Sequence, residues 1–111
     1  MRAYTTATQT LTVQGRDLTG CKVWVTYSQR RSPTSKSATV VTVEGAALSV
    51  TKSGNDTVIG VTLSQEQSGQ LVEGVAEVQV NWMTSGGVRD ATDAIEIAVD
   101  KNLLRRVLSY G

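Results

Sequence analysis

The sequence predicts an all-β fold, an antiparallel sandwich of about seven strands, on three observations. Valine and threonine are prominent in the 111-residue chain while phenylalanine is absent, and β-branched side chains favour a pleated, half-buried surface. Ten glycines and a single proline suit short strands joined by turns. Apolar and polar residues alternate with a period of two in several short runs, as a sheet with one buried face requires.

The first run is residues 8–13. Thr8, Thr10 and Thr12 oppose Gln9, Leu11 and Val13, the pattern of an edge strand. A polar connection follows at 14–20, where Asp17 and Thr19 are placed to bond nearby backbone and close a turn. Residues 21–29 form the clearest strand. Cys21, Val23, Val25 and Tyr27 share one face, and Lys22, Trp24, Thr26 and Ser28 the other. Trp24 thus falls on the polar face and needs cover, from a hydrophobic edge or from a partner.

Residues 30–37 are the most polar stretch, with Arg30, Arg31, Lys36 and the only proline. They read as a surface loop, and in a sharper reading as a contact loop for an acidic partner. Residues 39–43 and 47–51 are expected to pair as a hairpin around Glu44, Gly45 and Ala46. A second turn at 52–56 leads into strand 57–63, whose core face is Thr57, Ile59, Val61 and Leu63. Ser64 and Gln67 make a capping-box pattern. It predicts one helical turn ending by Gly69, with Leu71 plugging the sandwich at that corner.

Gly74 opens the next strand, 75–83, with Val78, Val80 and Trp82 inward. A glycine turn at 84–87 returns the chain into a last strand, 88–99. Its common face is Ala91, Asp93, Ile95, Ile97 and Val99, inward from about Ile95. Seven short strands with turn signals between them are the signature of a sandwich of immunoglobulin-like architecture, here without its disulfide. A closed barrel is the alternative. The sandwich domain is expected to occupy 1–99 and an amphipathic tail 100–111. In the tail, Leu103, Leu104, Val107 and Leu108 lie on one helical face, Asp100 stands at the capping position, and Arg105 and Arg106 point away. So short a segment is not stably helical alone. It must lie, helical or extended, on its own domain or on another chain.

The chemistry is sparse. Histidine is absent, which removes His-based acid–base and triad chemistry and most zinc sites. Cys21 is alone, so no intrachain disulfide or cysteine cluster forms, and it is expected to serve as a small buried hydrophobe. No nucleotide-binding or nucleophile-elbow motif occurs. Asp90, Asp93 and Glu96 cluster in sequence, but strict alternation would put Asp90 and Glu96 on one face and Asp93 on the other. The expectation is no enzyme, no metal and no cofactor. A net charge of +1 gives no push toward nucleic acid or an anionic membrane. The first ten residues lack the apolar run of a signal peptide, and no stretch approaches the ~20 apolar residues of a membrane span.

Several segments, in order, carry a resemblance: Asp17-Leu18-Thr19-Gly20; the strand Lys22-Val23-Trp24-Val25-Thr26-Tyr27; the run from Asp56 through Thr62-Leu63-Ser64-Gln65-Glu66; and Val78-Gln79-Val80-Asn81-Trp82 with its glycine hairpin. Over residues 11–99 the chain resembles small virion proteins of tailed bacteriophages and prophages, and the N-terminal immunoglobulin-like domain of phage baseplate upper proteins. The resemblance implies a structural protein of the tail, baseplate or neck, made in the bacterial host cytoplasm and carried in the virion. It would bind other virion proteins or further copies of itself, and neither nucleic acid nor membrane. The expected partner-binding residues are Trp24; Arg30, Arg31 and Lys36 of the basic loop; and Leu103, Leu104, Val107 and Leu108 of the tail. A capsid decoration protein is the alternative within that class. A ligand-binding sandwich, such as a carbohydrate-binding module using Trp24, is the alternative outside it.

Overall fold

The alternation read from the sequence becomes two antiparallel sheets that share one core. The computed structural model describes residues 1–30, 32, 34 and 37–110. The smaller sheet has the order β1-β5-β4, from β1 (Ala7–Val13), β4 (Leu48–Ser53) and β5 (Asp56–Leu63). The larger runs β3-β2-β6, from β3 (Thr39–Glu44), β2 (Lys22–Gln29) and β6 (Gly74–Met83). Beyond β6 it continues with β7 (Arg89–Ala91) and β8 (Ile95–Val99), both paired to β6. In the lettering of immunoglobulin domains these are B-E-D against C′-C-F-G. The fold is an immunoglobulin-like sandwich with eight strands rather than seven, because the last one divides in two.

The predicted inward faces are the buried ones. Val23, Val25 and Tyr27 of β2, Ile59, Val61 and Leu63 of β5, and Val78, Val80 and Trp82 of β6 are all buried. Burying such side chains stabilises the fold by roughly 1.5–3 kcal/mol each relative to exposure. Tyr27 is fully buried and ties the sheets together by donating its hydroxyl to Gln9 Oε1 of β1 at 2.5 Å. Cys21 is half-buried and packs against the core. β1 pairs only with β5 and is an edge strand, as expected.

Both ends of the sandwich are plugged. Leu18 is buried at one end, where its N–H donates to the Thr57 hydroxyl at 3.0 Å and that hydroxyl donates to the Arg16 carbonyl. In the adjacent turn the Thr19 N–H bonds Asp17 Oδ1 at 3.0 Å, and the Thr19 contacts hold the Asp17 carboxyl below its ordinary value. At the other end α1 (Gln65–Gly69) starts with both bonds of the predicted capping box and delivers Leu71 into the core. The buried Ser68 hydroxyl accepts from the Thr5 N–H and donates to the Thr5 carbonyl, fastening the N-terminal turn to this corner. Gly69 is needed there, since a Cβ would come within 2.6 Å of the Tyr4 ring. Gln29, at the end of β2, is 5% exposed and grips the backbone of Val72. Its amide donates to the Val72 carbonyl at 2.7 Å and accepts from the Val72 N–H at 2.8 Å.

Three expectations are corrected. Residues 39–43 and 47–51 are not a hairpin. β3 pairs with β2 and β4 with β5, so the chain crosses between sheets through a single 3-10 turn, Gly45–Ala47. Gly45 adopts φ +69°, a conformation that redirects the chain without a Cβ penalty. The true hairpin is the next one, closed by Gly54 with φ +61° between the paired Ser53 and Asp56.

The second correction concerns the last strand. Asn81 pairs with Ala91 and Val78 with Ile95, so three residues, 92–94, face only two on β6. This is a bulge of one extra residue. Thr92 holds it, exchanging bonds with the Val80 backbone and accepting from the Gln79 amide. The extra residue reverses the alternation, so Ala91 and Ile95 do not share a face. Asp90 pairs with the inward Trp82 and Glu96 with the outward Glu77, so these carboxylates take opposite faces rather than one. Ile95 is in inward register but 52% exposed at the sheet edge; full burial is reached only at Val99.

The third correction is the capping role of Asp100, since of the two forms expected for the tail, helical or extended, it does not take the helical one. Asp100 does not cap a helix; it bridges to Arg2, its N–H donating to the Met1 carbonyl and its carbonyl accepting from the Ala3 N–H. Beyond it Asn102 Oδ1 takes the Leu104 N–H at 3.1 Å. Such a side-chain-to-backbone bond competes with helix formation.

Candidate interaction surfaces

Strand register decides which side chains meet on the outer face of the larger sheet. Trp24 of β2 lies between Glu44 of β3 and Asn81 of β6. The indole N–H donates to Glu44 Oε2 at 2.5 Å, so a cross-strand carboxylate fixes the half-buried ring in place. Beside it is an open dish of about 320 Å³ lined by Trp24, Thr26, Thr42, Asn81, Met83 and Arg89. The Thr26 and Thr42 hydroxyls are 3.2 Å apart, and Arg89 donates to Asn81 Oδ1 at 3.2 Å. Met83 is 37% exposed. The dish offers an indole ring, a thioether and hydrogen-bonding groups.

The same face changes character along the strands. Lys22, Met83 and Arg89 form one transverse row. Four residues are aligned in a second: Val40, Ser28, Glu77 and Glu96. Val40 and Val75 are more than half exposed at this second end. Arg30 borders the same hollow as Glu77 and Glu96 and is itself exposed. Arg31 and Lys36, the other two expected contact residues of the basic loop, lie outside the described residues.

The tail is a separate feature. Leu103, Leu104, Val107 and Leu108 are exposed, Leu103 by 87% and the others by nearly half. The tail is held on its own domain by polar contacts. The Asn102 amide donates to the Ala3 carbonyl at 3.1 Å. Gln65 of α1 grips Leu108, donating to its carbonyl at 3.2 Å and accepting from its N–H at 2.8 Å.

Trp24 and the tail were visible in the sequence, one as a break in alternation and the other as a change of period. Asn81, Met83 and Arg89 were not singled out, because only the pairing of β2, β6 and β7 brings them to Trp24. Gln65 stands in the sequence only as an interior position of the capping-box run and of the resemblance; its grip on the tail has no sequence signal. The structure does not bring the tail to the Trp24 dish. Among the described residues no three side chains of metal-ligating type come together, and no helix is long and apolar enough to cross a membrane. No protein-family model matches the chain, and no curated protein matches it.

Proposed function

We propose that the protein is a non-catalytic assembly module acting through protein–protein contacts. The observation that carries this reading is the tail. Four large aliphatic side chains stand exposed on a strap held by polar contacts, and exposed apolar surface of this kind marks interaction sites. The setting comes from the sequence resemblance alone: a bacteriophage or prophage particle, in the tail, baseplate or neck, with synthesis in the bacterial host cytoplasm. The partners are then other virion proteins or further copies of this chain. Deleting residues 103–111 tests the reading through mass in solution and incorporation into particles. The expected result is loss of incorporation with the sandwich still folded; unchanged incorporation overturns the role of the tail.

A second reading has its own observation. The Trp24 dish combines a fixed aromatic ring with Asn81, Arg89 and two threonine hydroxyls, groups suited to a sugar ring. A glycan array with a Trp24→Ala control separates the two. Binding that disappears on substitution favours the carbohydrate module, and an empty array favours assembly.

A further inference from the structure

We infer that the outer face of the larger sheet binds the same face of a second copy, forming a two-fold dimer. The inference rests on the reading of the protein as an assembly module and names the partner for this face.

The argument begins with the distribution of charge. At one end of the face Lys22 and Arg89 flank Met83. At the other Glu77 lies directly opposite Glu96. Like charges in a cross-strand pair are destabilising, and neither glutamate has an ion pair among the described residues. Lys22 and Arg89 likewise have no carboxylate partner there. The Lys22 and Arg89 row is thus cationic and the Glu77 and Glu96 row anionic, about 20 Å apart along β6 at ~3.3 Å per residue. Glu44, bonded to the Trp24 indole near the first row, and Arg30, at the rim of the second, reduce this contrast by one charge each without reversing it.

A face polarised in this way is complementary to itself when turned end for end. The required operation is a two-fold axis in the interface plane, running across the strands between the Gln79 and Asn81 rows. It reverses strand direction and preserves strand order. Arg89, on the far side of β6, then lies over Glu96 of the second copy, which is also beyond β6. Lys22 comes beside Glu77, one strand away. Trp24 comes over Thr26. Met83 comes over Glu77, Val75 over the turn that follows β6, and Val40 beside the Gly45–Ala47 turn of the second copy. A two-fold axis along the strands would instead set glutamate on glutamate. The contact is isologous and closes at two copies.

The smaller sheet offers no such complementarity. Its outer face presents Thr8, Thr10, Thr12, Ser49, Thr51 and Thr62, with Gly60 at its centre. The larger face, four strands wide at ~4.8 Å and roughly 30 Å long, covers about 600 Å². That is near the lower end for a specific interface, so a reversible dimer is expected.

The test is mass in solution of the full chain, by sedimentation across the micromolar range, with thermal unfolding as the folding control. The wild type is expected to show a concentration-dependent dimer. Lys22→Glu with Arg89→Glu, and separately Glu77→Lys with Glu96→Lys, should each weaken it at least about tenfold. Mixing these two variants should restore association as a heterodimer, and all four substitutions in one chain should restore the homodimer. Where a reversal impairs folding, Lys22→Gln with Arg89→Gln replaces it and should weaken the dimer less. A wild type that stays monomeric overturns the proposal, as do folded reversal variants that dimerise like the wild type or fail to recover on mixing. A monomer that still needs its tail for incorporation into particles sinks the dimer alone. A dimer whose tail is dispensable for incorporation sinks the tail reading alone.

Discussion

Two glutamines make the same pair of bonds in two different settings. Gln29 and Gln65 each use one amide to donate to a backbone carbonyl and accept from the N–H of the same residue, Val72 in one case and Leu108 in the other. Gln29 is buried at the end of a core strand, whereas the Gln65 bonds are exposed. A hydrogen bond contributes modestly in net terms, but a buried group left without its partner costs much more. The first clamp therefore locks the approach to β6, and the second holds a strap that water can release. The difference teaches that burial, not bond count, separates framework from movable parts in this molecule.

The sharpest way to break the comparison is one substitution made in both places. Gln29→Glu removes the donor to the Val72 carbonyl and buries a carboxylate. It should lower stability by about 3 kcal/mol in chemical denaturation. Gln65→Glu should be nearly silent, and equal effects would show that burial does not distinguish the clamps.

A third glutamine, Gln9, extends the series through pH. Burial pushes the Tyr27 hydroxyl up to about 12, against ~10 in an unfolded chain. Because the folded value is the higher one, the contribution of this group is intact below pH ~10 and is lost as pH rises toward 12. The loss should amount to about 2–3 kcal/mol in denaturation curves taken across that range. Tyr27→Phe should flatten the dependence, and a wild-type curve already flat there would place the phenol in contact with solvent.

The smallest effect is expected at the strap. Gln65→Ala should leave global stability within about 0.5 kcal/mol while hydrogen exchange at the Leu108 amide accelerates. Tryptic cleavage after Arg105 and Arg106 should speed up as well. A large fall in thermal stability would instead make the strap part of the framework.

What was legible in the sequence follows from the range of the forces involved. Side-chain alternation is local, so the inward faces of β2, β5 and β6 could be read directly, as could the capping box at Ser64 and the plug at Leu71. Sheet membership is not local. Glu44-Gly45-Ala46 looks the same whether the chain turns back on its own sheet or crosses to the other, so β3 and β4 were paired wrongly. Tail periodicity was real, but a ten-residue segment gains little from helix formation without a packing surface, and Asn102 bonded the backbone instead. Trp24 was conspicuous because it broke a pattern; Arg89 and Met83 kept theirs and became visible only through register.

The bulge at residues 92–94 can be viewed as a phase shifter. A strand is a signal of period two, and one inserted residue moves it by half a cycle. Upstream of the bulge, β7 sends Ala91 outward beside Asn81; downstream, β8 sends Val99 inward. Deleting one of residues 92–94 would leave two residues facing two on β6, a regular ladder in which Ala91 still points outward and Val99 inward. The shift is erased by removing the residue that makes it. Deleting two would leave one residue to span two rungs and would pull β8 out of step with β6. Length changes in this segment are therefore expected to be tolerated at the loss of one residue and rejected at the loss of two.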